Sequence, residues 1–167
     1  AFVAALTEQE AEKWLMATDA GYGFVTGFSE LTANKKGGKQ VLTVPAGARV
    51  LHPRAVRDPQ QDWLAAVSNE GRLLVFPLCD LPEMTRGKGN KIIAIPGPRV
   101  REREEYVVDI QVLGGKDTLV VQAGKRHRKL TPSDLEHYRS ERGRRGAKLP
   151  RGYQNVQSMT VERKNDG

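Results

Sequence analysis

Three stretches of the chain combine glycine with lysine and arginine at matching places in an internal repeat. Glycine lets a backbone approach a partner closely, and lysine and arginine donate charge-assisted hydrogen bonds to phosphate oxygens. One such loop is a weak sign, since glycine and lysine are common in any solvated turn. Three loops in register predict a surface that contacts phosphates. The stretches are Lys35-Lys36-Gly37-Gly38-Lys39, Arg86-Gly87-Lys88-Gly89-Asn90-Lys91 and Arg142-Gly143-Arg144-Arg145-Gly146-Ala147-Lys148.

The positive charge of the chain is concentrated in its last third. The formal net charge of the 167 residues is +7. Residues 116–151 hold eleven Lys and Arg against four Asp and Glu, whereas residues 1–115 hold fourteen of each sign. A one-sided basic excess is typical of proteins that bind a polyanion, and the alternative is an arginine-rich solvated surface.

The pattern favours contacts to the backbone of a nucleic-acid duplex. Aromatic residues are few and are not interleaved with the basic ones, which disfavours a base-stacking single-strand site. No recognition helix for the major groove is evident, so backbone-directed, shape-dependent duplex binding remains. Arg72 follows a turn and is either a further contact or solvated. The side chains that we expect to contact phosphate are Lys35, Lys36, Lys39, Arg86, Lys88, Lys91, Lys125, Arg126, Arg128, Arg142, Arg144, Arg145 and Lys148.

No catalytic or metal-binding pattern accompanies these residues. His52, His127 and His137 lack metal-ligand spacing, and the single Cys79 leaves no zinc set. The sequence has no Gly-x-Ser-x-Gly motif, and Gly37-Gly38-Lys39-Gln40 lacks the first glycine and the Ser or Thr of a P-loop. We therefore expect no catalytic residue, no metal and no cofactor in this chain. Cys79 is predicted to be a small buried apolar side chain.

The basic loops belong to a repeat of about fifty residues. A shift of fifty places Gly71 on Gly21, and a shift of fifty-four places Asp80 on Asp134. Each copy reads as strand, glycine turn, strand, acidic-leucine turn, basic loop and strand. Short strands with turn residues at a regular period predict an all-β, propeller-like array of antiparallel blades. We expect a single unit over 1–167, with repeats at about 13–56, 62–113 and 117–162.

Turn residues and apolar runs in the sequence predict several local elements. The predicted strands are residues 1–6, 24–28, 63–68, 106–113, 118–122 and 156–161. One helical turn is predicted at Pro132, with Thr131 as its N-cap, and Glu30, Asp80 and Asp134 are predicted to cap equivalent turns. Residues 98–105 have nearly balanced charges and are predicted to be an exposed linker. Residues 162–167 are predicted to be a frayed tail.

Four stretches closely resemble a known family, the C-terminal domain of bacterial topoisomerase IV A subunits, which is related to that of gyrase A subunits. They are Asp19–Val25, Gly71–Leu81, Lys88–Ile93 and Glu141–Gly146. The resemblance spans essentially the whole chain. It implies a β-pinwheel whose blades exchange strands, and a non-catalytic domain whose basic outer rim binds and bends duplex DNA. Such a domain would steer which DNA crossings the enzyme acts on.

The resemblance also implies a parent enzyme, its partners and a cellular location. The chain would be a fragment of an ATP-dependent type II DNA topoisomerase acting in chromosome segregation, in the bacterial cytoplasm and near the nucleoid. Its partners would be duplex DNA, the remainder of the A subunit, the ATPase B subunit, and no membrane. The family's catalytic tyrosine lies in another domain, so none of Tyr22, Tyr106, Tyr138 and Tyr153 is expected to be a nucleophile.

The chain departs from the gyrase pattern at the box that permits tight wrapping of DNA. Its nearest stretch, Asn34-Lys35-Lys36-Gly37-Gly38-Lys39, is not intact, which favours topoisomerase IV over gyrase. Full domains of the family also carry more blades than the three counted here. Two alternatives remain. One is a protein-interaction propeller that docks acidic partners, and the weaker one is a single-strand RNA binder using Arg142–Gly146.

Overall fold

The computed structural model describes residues 13–27 and 42–164, and strands dominate their regular structure. Two short helices, α1 (Gly97–Arg101) and α2 (Pro132–Leu135), and 3-10 turns at Leu78–Asp80 and Glu136–Tyr138 connect them. The prediction of an all-β fold is confirmed. The strands are β1 Lys13–Ala17, β2 Tyr22–Gly27, β3 Arg54–Val56, β4 Trp63–Ser68, β5 Arg72–Pro77, β6 Asn90–Lys91, β7 Val107–Leu113, β8 Thr118–Ala123, β9 Arg126–Leu130, β10 Ala147–Lys148 and β11 Ser158–Glu162.

The strands form three antiparallel sheets that share strands between repeats. Sheet 1 has the order β3-β1-β2-β6, sheet 2 the order β10-β5-β4-β7, and sheet 3 the order β11-β8-β9. β6 follows β5 in the chain yet pairs with β2, and β10 follows β9 yet pairs with β5. Each later repeat therefore adds the last strand of the sheet before it. The numerical repeat boundaries stay a prediction.

One edge of each sheet faces the other sheets. In β3, the Arg54 guanidinium donates to the Ile110 carbonyl (2.9 Å) and to the Asp109 carboxylate (2.7 Å) of β7. The same carboxylate accepts the Met159 amide of β11 at 2.9 Å. β3, β7 and β11 thus form the inner edges of the three sheets. β6, β10 and β9 lie at the opposite, outer edges.

The core follows from the alternation of side chains along the two central strands of sheet 2. Leu64 and Ala66 of β4 pack on one face in a cluster with residues of sheet 1. Ala65 and Val67 pack on the other face in a cluster with residues of sheet 3. A strand buried on both faces reads as a continuous apolar run rather than an alternating one. For this reason the segment from Trp63 to Ser68 is apolar throughout, and it forms the strand predicted from its turn-bounded length.

The prediction of an exposed linker at residues 98–105 is wrong in part, since four of these eight residues are exposed and two are buried. Residues Gly97–Arg101 form α1, Val100 is buried, and the Glu105 side chain is only 1% exposed. Arginines surround the Glu105 carboxylate and compensate its burial. Balanced charges in the sequence can therefore indicate a buried ion-pair cluster as well as a solvated segment.

Two further local predictions are corrected. Cys79 is exposed, because in the 3-10 turn after β5 it is the neighbouring Leu78 that points into the core. The frayed tail does not begin at Glu162, which ends β11. Arg163 pairs with Asp117 at 2.9 Å, and the Lys164 amide donates to the same carboxylate at 3.0 Å.

The predicted cap of α2 is confirmed. The Thr131 hydroxyl accepts the Asp134 amide at 3.2 Å, and the Asp134 carboxylate accepts the Thr131 amide at 3.0 Å. At the equivalent 3-10 turn, Asp80 makes no capping bond, so capping does not recur there. Glu30 and the predicted strand over 1–6 lie outside the described residues.

Candidate nucleic-acid interface

The outer edge of every sheet carries basic side chains. β9 presents four exposed polar residues in a row, Arg126 to Lys129, and only Leu130 at its end is buried. Because β9 pairs with β8 on one side and with no strand on the other within the described chain, its side chains are not covered. Lys91 of β6 and Lys148 of β10 are exposed on sheets 1 and 2. We call β6, β9, β10 and the basic loops at 86–91 and 142–148 the outer rim.

The loop at 86–91 crosses from sheet 2 onto β2 of sheet 1. Its Lys88 ammonium lies 4.2 Å from the centre of the Tyr22 ring, and its Arg86, Lys88 and Lys91 side chains are exposed. Gly89 has a φ of +87°, and a Cβ there would lie 2.1 Å from the Gly23 carbonyl oxygen. Glycine is needed at this position because the loop backbone runs directly against β2.

The loop at 142–148 makes the equivalent crossing onto β5 and also contacts the segment after β6. The Gly143 amide donates to the Ile92 carbonyl at 2.8 Å, and the Ala94 amide donates to the Arg144 carbonyl at 2.9 Å. The Arg142 guanidinium donates to the Lys91 carbonyl at 2.8 Å. The structure thus brings Lys91 of one basic loop beside Arg142 and Arg144 of the next.

Arg145 lies in an ion-pair cluster. Its guanidinium donates to the Ala94 carbonyl at 2.7 Å and pairs with the buried Glu105 carboxylate at 2.9 Å. Arg99 contacts the same carboxylate at 3.2 Å and pairs with Glu70 at 2.6 Å. Sequence reasoning missed Glu105, because one acid in a charged stretch gives no sign of a partner forty residues away.

The other ion pairs of the rim lie on the surface. Arg144 pairs with Glu141 at 2.9 Å, and Lys129 with Glu162 at 3.3 Å, with every one of these side chains at least half exposed. Exposed pairs contribute about 0–1 kcal/mol and are screened by salt, so they leave both cations accessible to a phosphate. Arg72 is half-buried, and its guanidinium donates to the Gly146 carbonyl at 3.2 Å.

The predicted cations of the third repeat are divided between two sheets. Lys125, Arg126 and Arg128 lie in or beside β9 of sheet 3, whereas Lys148 lies in β10 of sheet 2. Arg126 is next to Gly152, where a Cβ would be 2.4 Å from the guanidinium. Lys35, Lys36 and Lys39 lie outside the described residues.

An open groove of about 830 Å³ runs beside the loop at 142–148. Trp63, Tyr138, Arg144 and Arg145 contribute to its lining, and the Arg139 guanidinium lies 4.2 Å from the centre of the Trp63 ring. An aromatic ring beneath a cation attracts it through the ring quadrupole, which holds Arg139 against sheet 2. The groove therefore adds cationic and apolar surface next to the rim.

The pKa shifts among the described residues arise from burial and from hydrogen bonds that stabilise the fold. Hydrogen bonds from the Thr131 amide and hydroxyl lower the pKa of Asp134. Burial raises the pKa of Asp62 and that of Tyr138, and a hydrogen bond to Asp19 raises the pKa of Arg103. Within residues 13–27 and 42–164 no cluster of His, Cys, Asp and Glu is arranged to hold a metal ion. No helix in those ranges is long and apolar enough to cross a membrane.

A family model described as "DNA gyrase C-terminal domain, beta-propeller" matches residues 12–57 and 62–113, more than half of the chain. The chain belongs to this family. The identification from the sequence is confirmed, and the matched residues contain strands β1 to β7.

Curated relatives show which members of the family the chain is similar to. The A subunit of DNA topoisomerase 4 from Pseudomonas aeruginosa is 55% identical over 161 residues, which cover 96% of this chain and 21% of that protein. The protein of the same name from Escherichia coli K12 is 42% identical over 157 residues, covering 94% of this chain and 21% of that protein. The chain therefore spans about a fifth of the length of these relatives.

Solved structures agree with this placement. The structure of the E. coli ParC C-terminal domain matches with a TM-score of 0.83 at 42% identity, over 92% of this chain and 62% of that one. The structure of the DNA gyrase A C-terminal domain matches with a TM-score of 0.70 over 96% of this chain and 51% of that one. At 14% identity the second match shows a common fold alone.

Proposed function

We propose that this chain binds duplex DNA through phosphate contacts along its outer rim. The observation that carries the proposal is the convergence of basic side chains on the outer edge of all three sheets, at Lys91, at Lys148 and along Arg126–Lys129. The inner edges instead meet one another through the Arg54–Asp109 pair. Cations gathered on one edge of a curved array present a continuous track to a polyanion.

The chemistry of the rim suits the DNA backbone rather than the bases. Lysine and arginine neutralise phosphates and release condensed counterions, a contribution to affinity that does not depend on sequence. The described helices have four or five residues, which is too short to present a recognition surface to the major groove. A duplex that follows successive blades has to curve, so we propose that binding also bends the DNA.

We further propose that the parent protein is the A subunit of a type II DNA topoisomerase. The names of the relatives support this step, since both are A subunits of DNA topoisomerase 4. In that setting the domain would hold a duplex segment and so steer which DNA crossing reaches the enzyme. Its partners would be the ATPase B subunit together with the rest of the A subunit, where the catalysis would lie.

The salt dependence of duplex affinity tests the proposal. We compare the wild-type chain with the double variant Arg126→Ala/Arg128→Ala, because both side chains are exposed on β9 and neither forms an ion pair within the described residues. If both contact phosphate, the slope of log affinity against log salt becomes shallower by about 2 units, at about 0.9 per contact. Lys116→Ala, in the exposed turn between β7 and β8, removes one cation outside the outer rim and is the control that should leave the slope unchanged.

The other outcomes separate the alternatives. Absence of duplex binding by the wild-type chain at low salt would contradict the proposal. Displacement of DNA by polyglutamate at equal charge concentration would favour a surface that docks acidic proteins. Preference for unpaired RNA over duplex DNA would favour the single-strand alternative. Bending is measured separately, by energy transfer between the ends of a short duplex with and without the chain.

A further inference from the structure

We propose that Glu105 is a positioning residue for the DNA-binding rim. Through Arg145 it would hold the loop at 142–146 in the shape that presents Arg142 and Arg144 to phosphates. Arg145 itself would then stabilise the loop and would not contact the DNA. The inference rests on the proposed DNA binding and deepens it, because it divides the cations of one loop into those that contact phosphate and one that supports them.

The burial of Glu105 is the first observation. Its side chain is 1% exposed, at the end of the segment that follows α1. A buried carboxylate is costly unless charged partners compensate it. Arg145 donates a hydrogen bond to the carboxylate at 3.2 Å, and Arg99 forms an ion pair with it at 3.2 Å. The two cations reach Glu105 from opposite directions in the chain.

The geometry of Arg145 is the second observation. One terminal nitrogen donates to the Ala94 carbonyl at 2.7 Å, and the other lies 2.9 Å from Glu105. Arginine's planar fork suits such a two-point contact, and a lysine ammonium cannot reproduce it. A guanidinium held by a carbonyl and a buried carboxylate has less of its charge available to a phosphate than an exposed one has.

The neighbouring backbone shows what the pair holds in place. Gly143 and Arg144 form hydrogen bonds with Ile92 and Ala94 on the segment after β6. Arg145 follows them directly, so its contact closes the same stretch of loop against the same segment. The Arg144 side chain is 65% exposed, and among the described residues it pairs only with Glu141. The loop is therefore held on one side by Arg145 and open to solvent at Arg144.

The proposal is testable because simple electrostatics predicts the opposite effect of Glu105→Gln on DNA affinity. If charge alone decided affinity, Glu105→Gln would remove a negative charge near the rim and strengthen DNA binding. If Glu105 positions the loop, the same variant weakens binding, because Arg142 and Arg144 lose their fixed placement. Glu104→Gln is the matched control. It makes the same charge change one residue earlier, at a side chain that is 58% exposed and forms a long ion pair with Arg99 at 3.7 Å.

The experiment measures duplex affinity against salt and amide hydrogen exchange for wild type, Glu105→Gln, Glu104→Gln and Arg145→Lys. We expect Glu105→Gln and Arg145→Lys each to lower affinity and to flatten the salt slope by about 2 units, as two contacts are lost at about 0.9 each. We expect Glu104→Gln to match wild type or to bind slightly more tightly. In the same two variants the Gly143 and Ala94 amides should exchange at least tenfold faster, with the β4 amides unchanged.

If Glu105→Gln does not fold, Arg145→Lys tests whether Arg145 supports the loop or contacts phosphate. Lysine keeps the positive charge, so an Arg145 that contacts phosphate directly would keep most of its affinity and its slope. A wild-type slope together with wild-type exchange at Gly143 in Arg145→Lys would overturn the proposal. Failure of the wild-type chain to bind duplex DNA would contradict the proposed function, while the exchange rates would still show whether the pair holds the loop.

Discussion

The chain makes the same blade-to-blade crossing twice, with different side chains. In the first junction, residues 83–91 cross onto β2, and in the second, residues 139–148 cross onto β5. Val25 bridges Glu83 in parallel, and Val75, fifty residues later, bridges Arg139 in the same way. The Met84 amide donates to the Val25 carbonyl at 2.8 Å, and the Ser140 amide to the Val75 carbonyl at 3.0 Å. The backbone contact is therefore common to both junctions.

The side chains at the two junctions differ in burial and in chemistry. The first is held by a surface ion pair between Lys13 and Glu83, and the second by Arg139 on the Trp63 ring. Lys88, just before the crossing glycine of the first junction, is exposed over Tyr22. Arg145, in the same place in the second junction, pairs with buried Glu105. A repeated backbone can thus assign different roles to equivalent basic residues.

The crossing glycines should give the largest effect. A Cβ at Gly89 would lie 2.1 Å from a β2 carbonyl oxygen, and one at Gly146 would lie 2.9 Å from a β5 carbonyl oxygen. Both have positive φ, as does Gly124, which has open space around it. We expect Gly124→Ala to cost about 1–2 kcal/mol of unfolding free energy from φ alone. Gly146→Ala should cost about 2–3 kcal/mol, and Gly89→Ala more than about 4 kcal/mol.

Urea unfolding followed by circular dichroism measures all three variants. Equal losses at the three positions would show that the close approach of the crossing backbones contributes nothing beyond φ. A larger loss at Gly146 than at Gly89 would show that β5 yields less readily than β2, and would reverse the expected ranking of the two junctions.

The next largest effect is a difference in unfolding free energy between the Lys88 and Arg145 variants. Arg145→Ala leaves the Glu105 carboxylate with one cation fewer, and we expect a loss of about 1–3 kcal/mol, below the value for a fully buried pair because Arg145 is 40% exposed. Lys88→Ala removes an exposed cation–π contact and should cost about 0.5–1 kcal/mol. The salt slope of DNA affinity should fall by about 0.9 for Lys88→Ala. Equal stabilities for the two variants, measured by urea unfolding, would remove the distinction between the junctions.

Much of the fold could be predicted because its signals are local. Gly21 and Gly71 lie in the predicted glycine turns and have positive φ, and the turns join apolar runs that form paired strands. β9 was not predicted, because four of its five side chains are exposed and its sequence neither alternates nor is apolar. Charge clustering marked its arginines as a surface without showing that they lie on a strand.

The contacts between repeats could not be predicted from local signals. β6 and β10 have two residues each, too few for any periodicity, so their own residues do not show that they complete the preceding sheet. Only the family resemblance implied that blades exchange strands. The partner of Arg145 is forty residues away, in a stretch whose balanced charges suggested solvent. Residue spacing located the basic loops. Whether a cation in a loop is exposed or held in the fold depends on the carboxylate with which it pairs.

The turns that precede the two junctions should differ by a smaller amount. Thr131 caps α2 through its hydroxyl, whereas Asp80 makes no capping bond in the 3-10 turn before the first junction. We expect Thr131→Ala to lower the unfolding free energy by about 1 kcal/mol, and Asp80→Ala to change it by less than about 0.5 kcal/mol. Urea unfolding of the two variants provides the measurement. A comparable loss at Asp80 would indicate a cap that forms in both repeats.

The cap of α2 also predicts a dependence on pH. Hydrogen bonds from Thr131 lower the pKa of the Asp134 carboxyl, so the folded chain favours its ionised form. This contribution is present above the ordinary carboxyl pKa and is lost as the pH falls through the lowered value. In Thr131→Ala the pKa of Asp134, followed by NMR titration, should rise towards that of a free carboxyl. The rise should be partial, because the variant removes the Thr131 hydroxyl and keeps the Thr131 amide as a donor. An unchanged pKa would mean that the Thr131 hydroxyl does not donate to Asp134 in solution.

The smallest effect concerns how salt acts on the two junctions. Lys13 and Glu83 are 34% and 54% exposed, so Glu83→Gln should cost less than about 1 kcal/mol at 0.1 M salt. That cost should disappear in 1 M salt, where the screening length falls to about 3 Å. Arg139→Ala should cost about 0.5–1 kcal/mol at both salt concentrations, because its ring contact is partly desolvated. Urea unfolding at the two concentrations compares them. Parallel salt dependence would mean that both junctions rest on exposed charge, and would leave the Arg145–Glu105 pair as the feature that makes the second junction different.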